Sequence, residues 1–133
     1  MMPDSRYQIE RQGLRTLTAG AILAGIAVVL GAFGAHALAD RLTDDKLEVW
    51  ETGARYHMYH ALAILAVGLL RRRSSANELK VSATLFGIGI GVFSGSLYFF
   101  ALSDVGLFGL LTPIGGLAFL AGWIALAIGA WRG

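Results

Sequence analysis

At 133 residues the chain has the length of one domain, but it is 56% hydrophobic and 15% charged where soluble domains average about 25% charged, which excludes an ordinary water-soluble globule. Eleven Lys and Arg against nine Asp and Glu leave a net charge of +2, with no basic stripe among exposed aromatics, so nucleic acid is excluded as a partner. The absence of cysteine excludes disulfides, thiolate metal sites and thiol chemistry.

The few charges are segregated. Thr16–Ala39, Tyr56–Leu70, Val81–Ser103 and Val105–Trp131 contain no Asp, Glu, Lys or Arg. A helix of about 20 apolar residues crosses a bilayer core, and three of these runs clear that length. The second holds 15 residues, so it has to borrow turns from the preceding segment or let Arg71 snorkel to the interface. The predicted fold is all-α: one integral membrane domain over residues 1–133, an up-and-down four-helix bundle with spans at about 14–39, 54–71, 81–103 and 113–131.

The first span follows Arg11 and Arg15, and its Ala35-His36-Ala37 resembles a signal cleavage site. Its apolar stretch exceeds the roughly 7–15 residues of a signal core, so it is expected to persist as a helix. Segment 40–52, DRLTDDKLEVWET, is too charged to span. Thr43 is placed to cap a helix whose first turn holds Asp44 and Asp45, and Leu47 with Trp50 gives that helix an apolar face. A short amphipathic helix on the outer leaflet is therefore expected between helices one and two, with Trp50 at the interface. Between the third and fourth spans, VGLFGLLTP is expected to dip into the interface before Thr112 caps and Pro113 opens the last helix.

Arg6, Arg11, Arg15, Arg71, Arg72, Arg73, Lys80 and Arg132 sort to one side of the membrane. Arg41, Lys46 and Arg55, diluted by five acids, and then Asp104 sort to the other. The positive-inside rule puts both termini in the cytoplasm of an inner-membrane protein. Small residues recur on the spans: Ala27, Gly31 and Ala35 on the first, Gly87, Gly91 and Gly95 on the third, and Ala118 with Gly122 and Ala125 with Gly129 on the fourth. Lipid provides no hydrophobic drive for helix association, so such residues let backbones touch. The contacts are expected within the bundle, or, for Gly87-Gly91-Gly95, in a homo-oligomer or a larger membrane complex.

The stretch YHMYH (56–60) sets imidazoles and phenols at the entrance to a span. With this topology His36, His57, His60 and Tyr98 all fall in the outer half, and the inner halves hold almost no polar side chains. Ionisable groups inside a membrane are costly and by default mark function. Candidate ligand-binding residues are His36, Tyr56, His60, Ser94, Ser96, Tyr98 and Thr112, with lipid, quinone, haem or metal as the ligand. The competing reading is an interfacial anchor and aromatic belt, and it is strongest for His57. The histidine spacing lacks the third ligand of a zinc site, and no carboxylate lies inside a span to act as general base, so no catalytic residue, metal or cofactor is assigned. A non-enzymatic binding or assembly protein is favoured, ahead of an oligomeric transport or channel module and of a membrane enzyme using His60 or His36 as acid/base.

Four strings, GAFGAHAL (31–38), YHMYHALAIL (56–65), FSGSLYFFAL (93–102) and TPIGGLAFLAGW (112–123), resemble the small membrane proteins of domain-of-unknown-function family 423, whose eukaryotic members are called transmembrane protein 256-like. The similarity runs from about Arg15 to Trp131. It implies a four-helix inner-membrane protein and carries no assigned activity. Its pattern carries over to Gly31, Gly34 and His36, to Tyr56 and His60, and to Ser94, Gly95, Ser96, Tyr98, Thr112, Pro113, Gly115 and Gly116. His57 departs from it, since that slot often holds glutamine in the family.

Overall fold

The computed structural model describes residues 3–133. Four antiparallel helices follow one another: α1 (Pro3–His36), α2 (Asp44–Arg71), α3 (Asn77–Ser103) and α4 (Gly106–Arg132). Helices α1, α3 and α4 are long and apolar enough to cross a membrane. At about 1.5 Å per residue, α1 is roughly 50 Å long, so its charged first turns project beyond a hydrocarbon core of about 30 Å.

Three local features differ from the sequence reading. The amphipathic segment is helical, with Thr43 at its N-cap position, but it runs without a break into the second span. Trp50 is not an interfacial belt residue. It is buried between α1 and α2, where its Nε1–H donates to the Leu30 carbonyl at 2.8 Å and its ring fills the space left by Gly34. Burial satisfies both halves of an indole, which needs apolar contact and one acceptor. Nor does α4 open at Pro113. It starts at Gly106, Pro113 lies inside it, and Thr112 is held against the Phe108 carbonyl at 3.3 Å instead of capping. Membrane helices tolerate an internal proline because neighbouring groups satisfy the carbonyl it frees.

Helix α3 is interrupted by a π-helical segment, Ile90–Ser94. It ends on Asp104, which adopts the left-handed conformation at φ 58° and receives an ion pair from Lys46 at the start of α2. Asp enters that region more readily than most residues.

Helix α1 packs on α2, α4 packs on α3, and α2 and α3 join the two pairs. The buried residues of α1 include Gly13, Gly20, Ala27 and Gly34, and those of α4 include Gly115, Gly122 and Gly129. Ala54, Ala61 and Gly68 are likewise buried on α2, and Ser82, Gly89 and Ser96 on α3. Each set repeats every seven residues, the spacing at which one face returns to its neighbour in left-handed helix packing. A methyl group on Gly20 would stand 2.5 Å from the Leu65 nitrogen, and one on Gly115 would stand 2.7 Å from the Phe93 Cα. Between the pairs, Ala61, Ile64, Val67, Leu79, Phe86 and Phe119 form the main apolar cluster, and Ser82 there donates to the Gly122 carbonyl at 2.9 Å.

The four-residue stripes divide: Ala27, Gly122, Ala125 and Gly129 are buried at these contacts, and the remaining glycines lie elsewhere. A Cβ on Gly31, Gly87, Gly91 or Gly95 would meet nothing within 4 Å, so these glycines face outward, unused by contacts within the chain. Gly34, Gly115 and Gly122 do sit at helix contacts, while Gly116 is nearly open.

The adjacent glycines give a direct check. Gly115→Ala should cost about 1–3 kcal/mol by overpacking against the α3 backbone, whereas Gly116→Ala and Gly91→Ala should stay within about 0.5 kcal/mol of wild type. Thermal unfolding in detergent reads the difference, and equal effects at 115 and 116 would contradict the packing described.

Candidate functional site

The single pocket expected from the sequence divides into separate contacts. His36, at the end of α1, is exposed and makes no hydrogen bond or ion pair among the described residues. His57 and His60, three residues apart on α2, are both buried and point to different helices.

His57 faces α3. Its Nδ1 lies 3.0 Å from the Tyr98 hydroxyl, and Tyr98 in turn packs on Trp50 with ring centroids 4.7 Å apart and leans over Gly53. The Nε2 is buried and has no hydrogen-bond partner among the described residues. The arrangement fits a neutral ring whose Nδ1 accepts from Tyr98 and whose Nε2 keeps the proton. His57 is thus a buried link between α2 and α3, not the interfacial anchor its position in the sequence suggests.

His60 faces α4. It lies flat on Phe119, with centroids 3.5 Å apart and planes inclined by 9°. Its Nε2 is 3.1 Å from Trp123 Nε1, and its Nδ1 is 2.7 Å from the Tyr56 carbonyl. An indole nitrogen only donates, so Nε2 accepts and the proton sits on Nδ1, which donates to the carbonyl. Both nitrogens are engaged, and the ring is held neutral in one tautomer. Acting as a metal ligand or a general base would require giving up the Trp123 bond.

Ser96 and Thr112 meet across α3 and α4, oxygen to oxygen at 2.8 Å, and Ser96 also donates to the Phe93 carbonyl at 2.8 Å. That carbonyl lies in the π segment, where the helix ladder is displaced by one residue. Ser94 is fully buried, and its hydroxyl has no hydrogen-bond partner among the described residues. No three His, Asp or Glu side chains converge among the described residues.

What these contacts leave open is a groove of about 560 Å³ between α2 and α4, floored by Phe93 and His60 and walled by Tyr56, Tyr59, Phe119 and Trp123. Tyr59 and Trp123 are about half exposed, so the groove opens sideways, on the surface lipid would cover. The hydroxyls of Tyr56 and Tyr59 have no hydrogen-bond partner among the described residues. Of the residues expected to bind a ligand, only Tyr56 and His60 line this groove. Tyr59 reads in the sequence as one of the phenols at the entrance to the second span, and Phe93, Phe119 and Trp123 are not singled out there. The available signal was Trp123, an indole N–H inside an apolar run that requires an acceptor from another helix.

The family model described as "Protein of unknown function (DUF423)" matches residues 30–116, a stretch that takes in all three histidines, Tyr98 and Thr112. A UPF0382 membrane protein of Staphylococcus epidermidis is 48% identical over 109 residues, covering 82% of this chain and 88% of its own length. The UPF0382 membrane protein YwdK of Bacillus subtilis is 44% identical over 84% of this chain and 91% of its own. The UPF0382 inner membrane protein YgdD of Escherichia coli K12 is 40% identical, with coverages of 84% and 86%. No solved structure matches the chain significantly.

The His60–Trp123 contact is testable by a double-mutant cycle. His60→Phe keeps the stack on Phe119 and removes the bond, at a cost of about 1 kcal/mol, the scale of interhelical bonds in membranes. Trp123→Phe should then add no further hydrogen-bond loss in that background, so the double variant should lose less stability than the two single variants summed. Strict additivity would show that the bond does not form.

Proposed function

The chain belongs to the DUF423 family of UPF0382 membrane proteins, and from that premise we propose a non-enzymatic inner-membrane protein that holds an amphiphilic ligand in its lateral aromatic groove. One observation carries this reading. The groove combines hydrocarbon and ring surfaces with two unpartnered phenol hydroxyls, while its one imidazole is already satisfied on both nitrogens.

Such a surface suits a molecule with an acceptor oxygen above a hydrocarbon tail, which describes both a lipid ester and a quinone carbonyl. Tyr56 and Tyr59 would donate to the oxygen, and Phe93, Phe119 and Leu120 would cover the tail. The site lacks a free base or nucleophile, which favours binding over catalysis. Transport is disfavoured because the buried serine deeper in α3, Ser82, is spent on the Gly122 carbonyl of α4.

The same proposal includes the topology. All four helices cross the bilayer with both termini cytoplasmic, α2 using its charged first turns at the outer surface. The positive-inside asymmetry supports this orientation. So does the gathering of Arg72 with Glu10, and of Arg132 with Glu78, at the end of the molecule opposite Lys46 and Asp104.

Two experiments test these statements. Gly116 lines the groove, and a Cβ there would come no closer than 3.9 Å to Phe93, so Gly116→Leu should fill the groove without disturbing the backbone. Protein purified in mild detergent should carry an amphiphile visible by native mass spectrometry, and the variant should lose most of it. Solvent extraction then separates phospholipid from quinone by mass and redox absorbance. An unchanged load in a stable Gly116→Leu protein would overturn the reading. For topology, reporters active only in the cytoplasm should report at both termini, and silence at either would refute the orientation.

A further inference from the structure

At the opposite end of the molecule, independent of the groove, three consecutive arginines leave α2. The Leu70 carbonyl accepts the backbone N–H groups of Arg73 and Ser74, both at 3.1 Å, so the chain turns tightly and fans the side chains apart. Arg71 reaches back to α1, donating to Thr16 Oγ1 at 2.6 Å and Gln12 Oε1 at 3.1 Å. Arg72 pairs with Glu10 of α1 at 2.9 Å. This approach is possible because Gly13 leaves α1 room beside the turn: a methyl there would stand 2.5 Å from Arg72 Cγ. Arg73 makes no side-chain hydrogen bond or ion pair among the described residues.

Arg73 is also where two cavities meet. One of about 610 Å³ lies among the ends of all four helices, with Leu69, Leu70 and Leu79 supplying hydrocarbon and Arg72 and Arg73 the charge. The other, of about 380 Å³, shares Glu10, Arg72 and Arg73 and adds Arg6 and Ile9. Together they present three guanidinium groups against one carboxylate, and that carboxylate is already paired with Arg72.

We propose that this is a binding site for an anionic phospholipid, whose phosphodiester is held by Arg73 with Arg72 beside it and whose acyl chains run over the exposed Leu69 and Leu70. Planar guanidinium is the side chain suited to bidentate phosphate recognition. Basic pockets between helix ends next to apolar surface hold lipid headgroups in the same way. The larger cavity lies within the roughly 300–1,000 Å³ range of small-molecule sites, and its leucine surface would serve no purpose for a bare anion. The geometry therefore favours a lipid over inorganic phosphate, although the two share the oxyanion that Arg73 would grip.

The test uses the full chain in a neutral detergent, titrated separately with phosphatidylglycerol, phosphatidylcholine and inorganic phosphate, with the thermal midpoint as the readout. Phosphatidylglycerol should raise the midpoint further than phosphatidylcholine, which offers esters to the groove but no net negative headgroup to Arg73. Arg73→Gln should weaken the phosphatidylglycerol response by about tenfold in concentration, as expected for losing a charge-assisted bond. Arg73→Lys should fall between, keeping charge without the fork. Arg132→Gln, at the same end but outside the cavities, should respond like wild type. Equal responses to the two lipids would overturn the proposal, as would equal losses in Arg132→Gln and Arg73→Gln, which would mean diffuse attraction. Protection by inorganic phosphate matching that of phosphatidylglycerol would make this a free-anion site and overturn the lipid assignment. Should Arg73→Gln prove unstable before lipid is added, the Arg73→Lys titration decides alone, and a response equal to wild type counts against bidentate binding.

Discussion

Contact between helix backbones through small residues is the constraint on which the rest of this structure depends. Lipid solvates leucine as well as another helix does, so nothing holds α1 to α2 except dispersion and hydrogen bonds at very short range. Gly20 and Gly68 bring α1 and α2 together backbone to backbone, as Gly115 does with Phe93 of α3, while Gly89 and Gly122 receive the rings of Phe119 and Phe86 at the α3–α4 contact, with the Phe93 ring beside Phe119. The second arrangement places a row of phenyl rings between those two helices. His60 becomes part of that row by stacking on Phe119.

The same closeness explains how two imidazoles are accommodated in an apolar body. A buried polar group without a partner is costly where no water can compensate. His60 is completed by Trp123 and a carbonyl of its own helix, and His57 by Tyr98 on one nitrogen. Each bond joins different helices or fixes a ring against one, so the histidines align the pairs that the glycines bring together. The proposed ligand then meets a wall whose hydrogen bonding is largely complete, apart from the Tyr56 and Tyr59 hydroxyls.

Much of the architecture was legible because charge-free runs measure a bilayer directly. The four helices and the gathering of most arginines at one end follow from counting charges. Position around each helix was harder to read. His57 and His60 differ by about 60° on a helix of 3.6 residues per turn, which is enough to send one to α3 and the other to α4. The four-residue glycine stripe Gly87-Gly91-Gly95 is conspicuous and faces outward, while the contacts use a seven-residue spacing spread across 13, 20, 27 and 34. A four-residue step overshoots a 3.6-residue turn, so such a stripe drifts around the helix, whereas two turns of 3.5 residues return to one neighbour. Pro113 misled for a related reason: the preference of proline for a first turn is a rule for helices ending in water, and α4 has protein and lipid around it instead.

The π segment at Ile90–Ser94 has a consequence for how this chain tolerates change in length. An α-helix advances about 100° per residue, and a π turn absorbs one residue more than an α turn of the same rise. Everything beyond Ser94 is therefore clocked backwards relative to a plain helix, and Ser96 meets Thr112 while Tyr98 meets His57 in that retarded setting. Deleting a single residue here would let the helix relax to its ordinary winding while leaving both side chains close to their present directions. In the α-helical stretch Asn77–Gly89, by contrast, a deletion would pass the whole rotation of about 100° on to Ser96 and Tyr98.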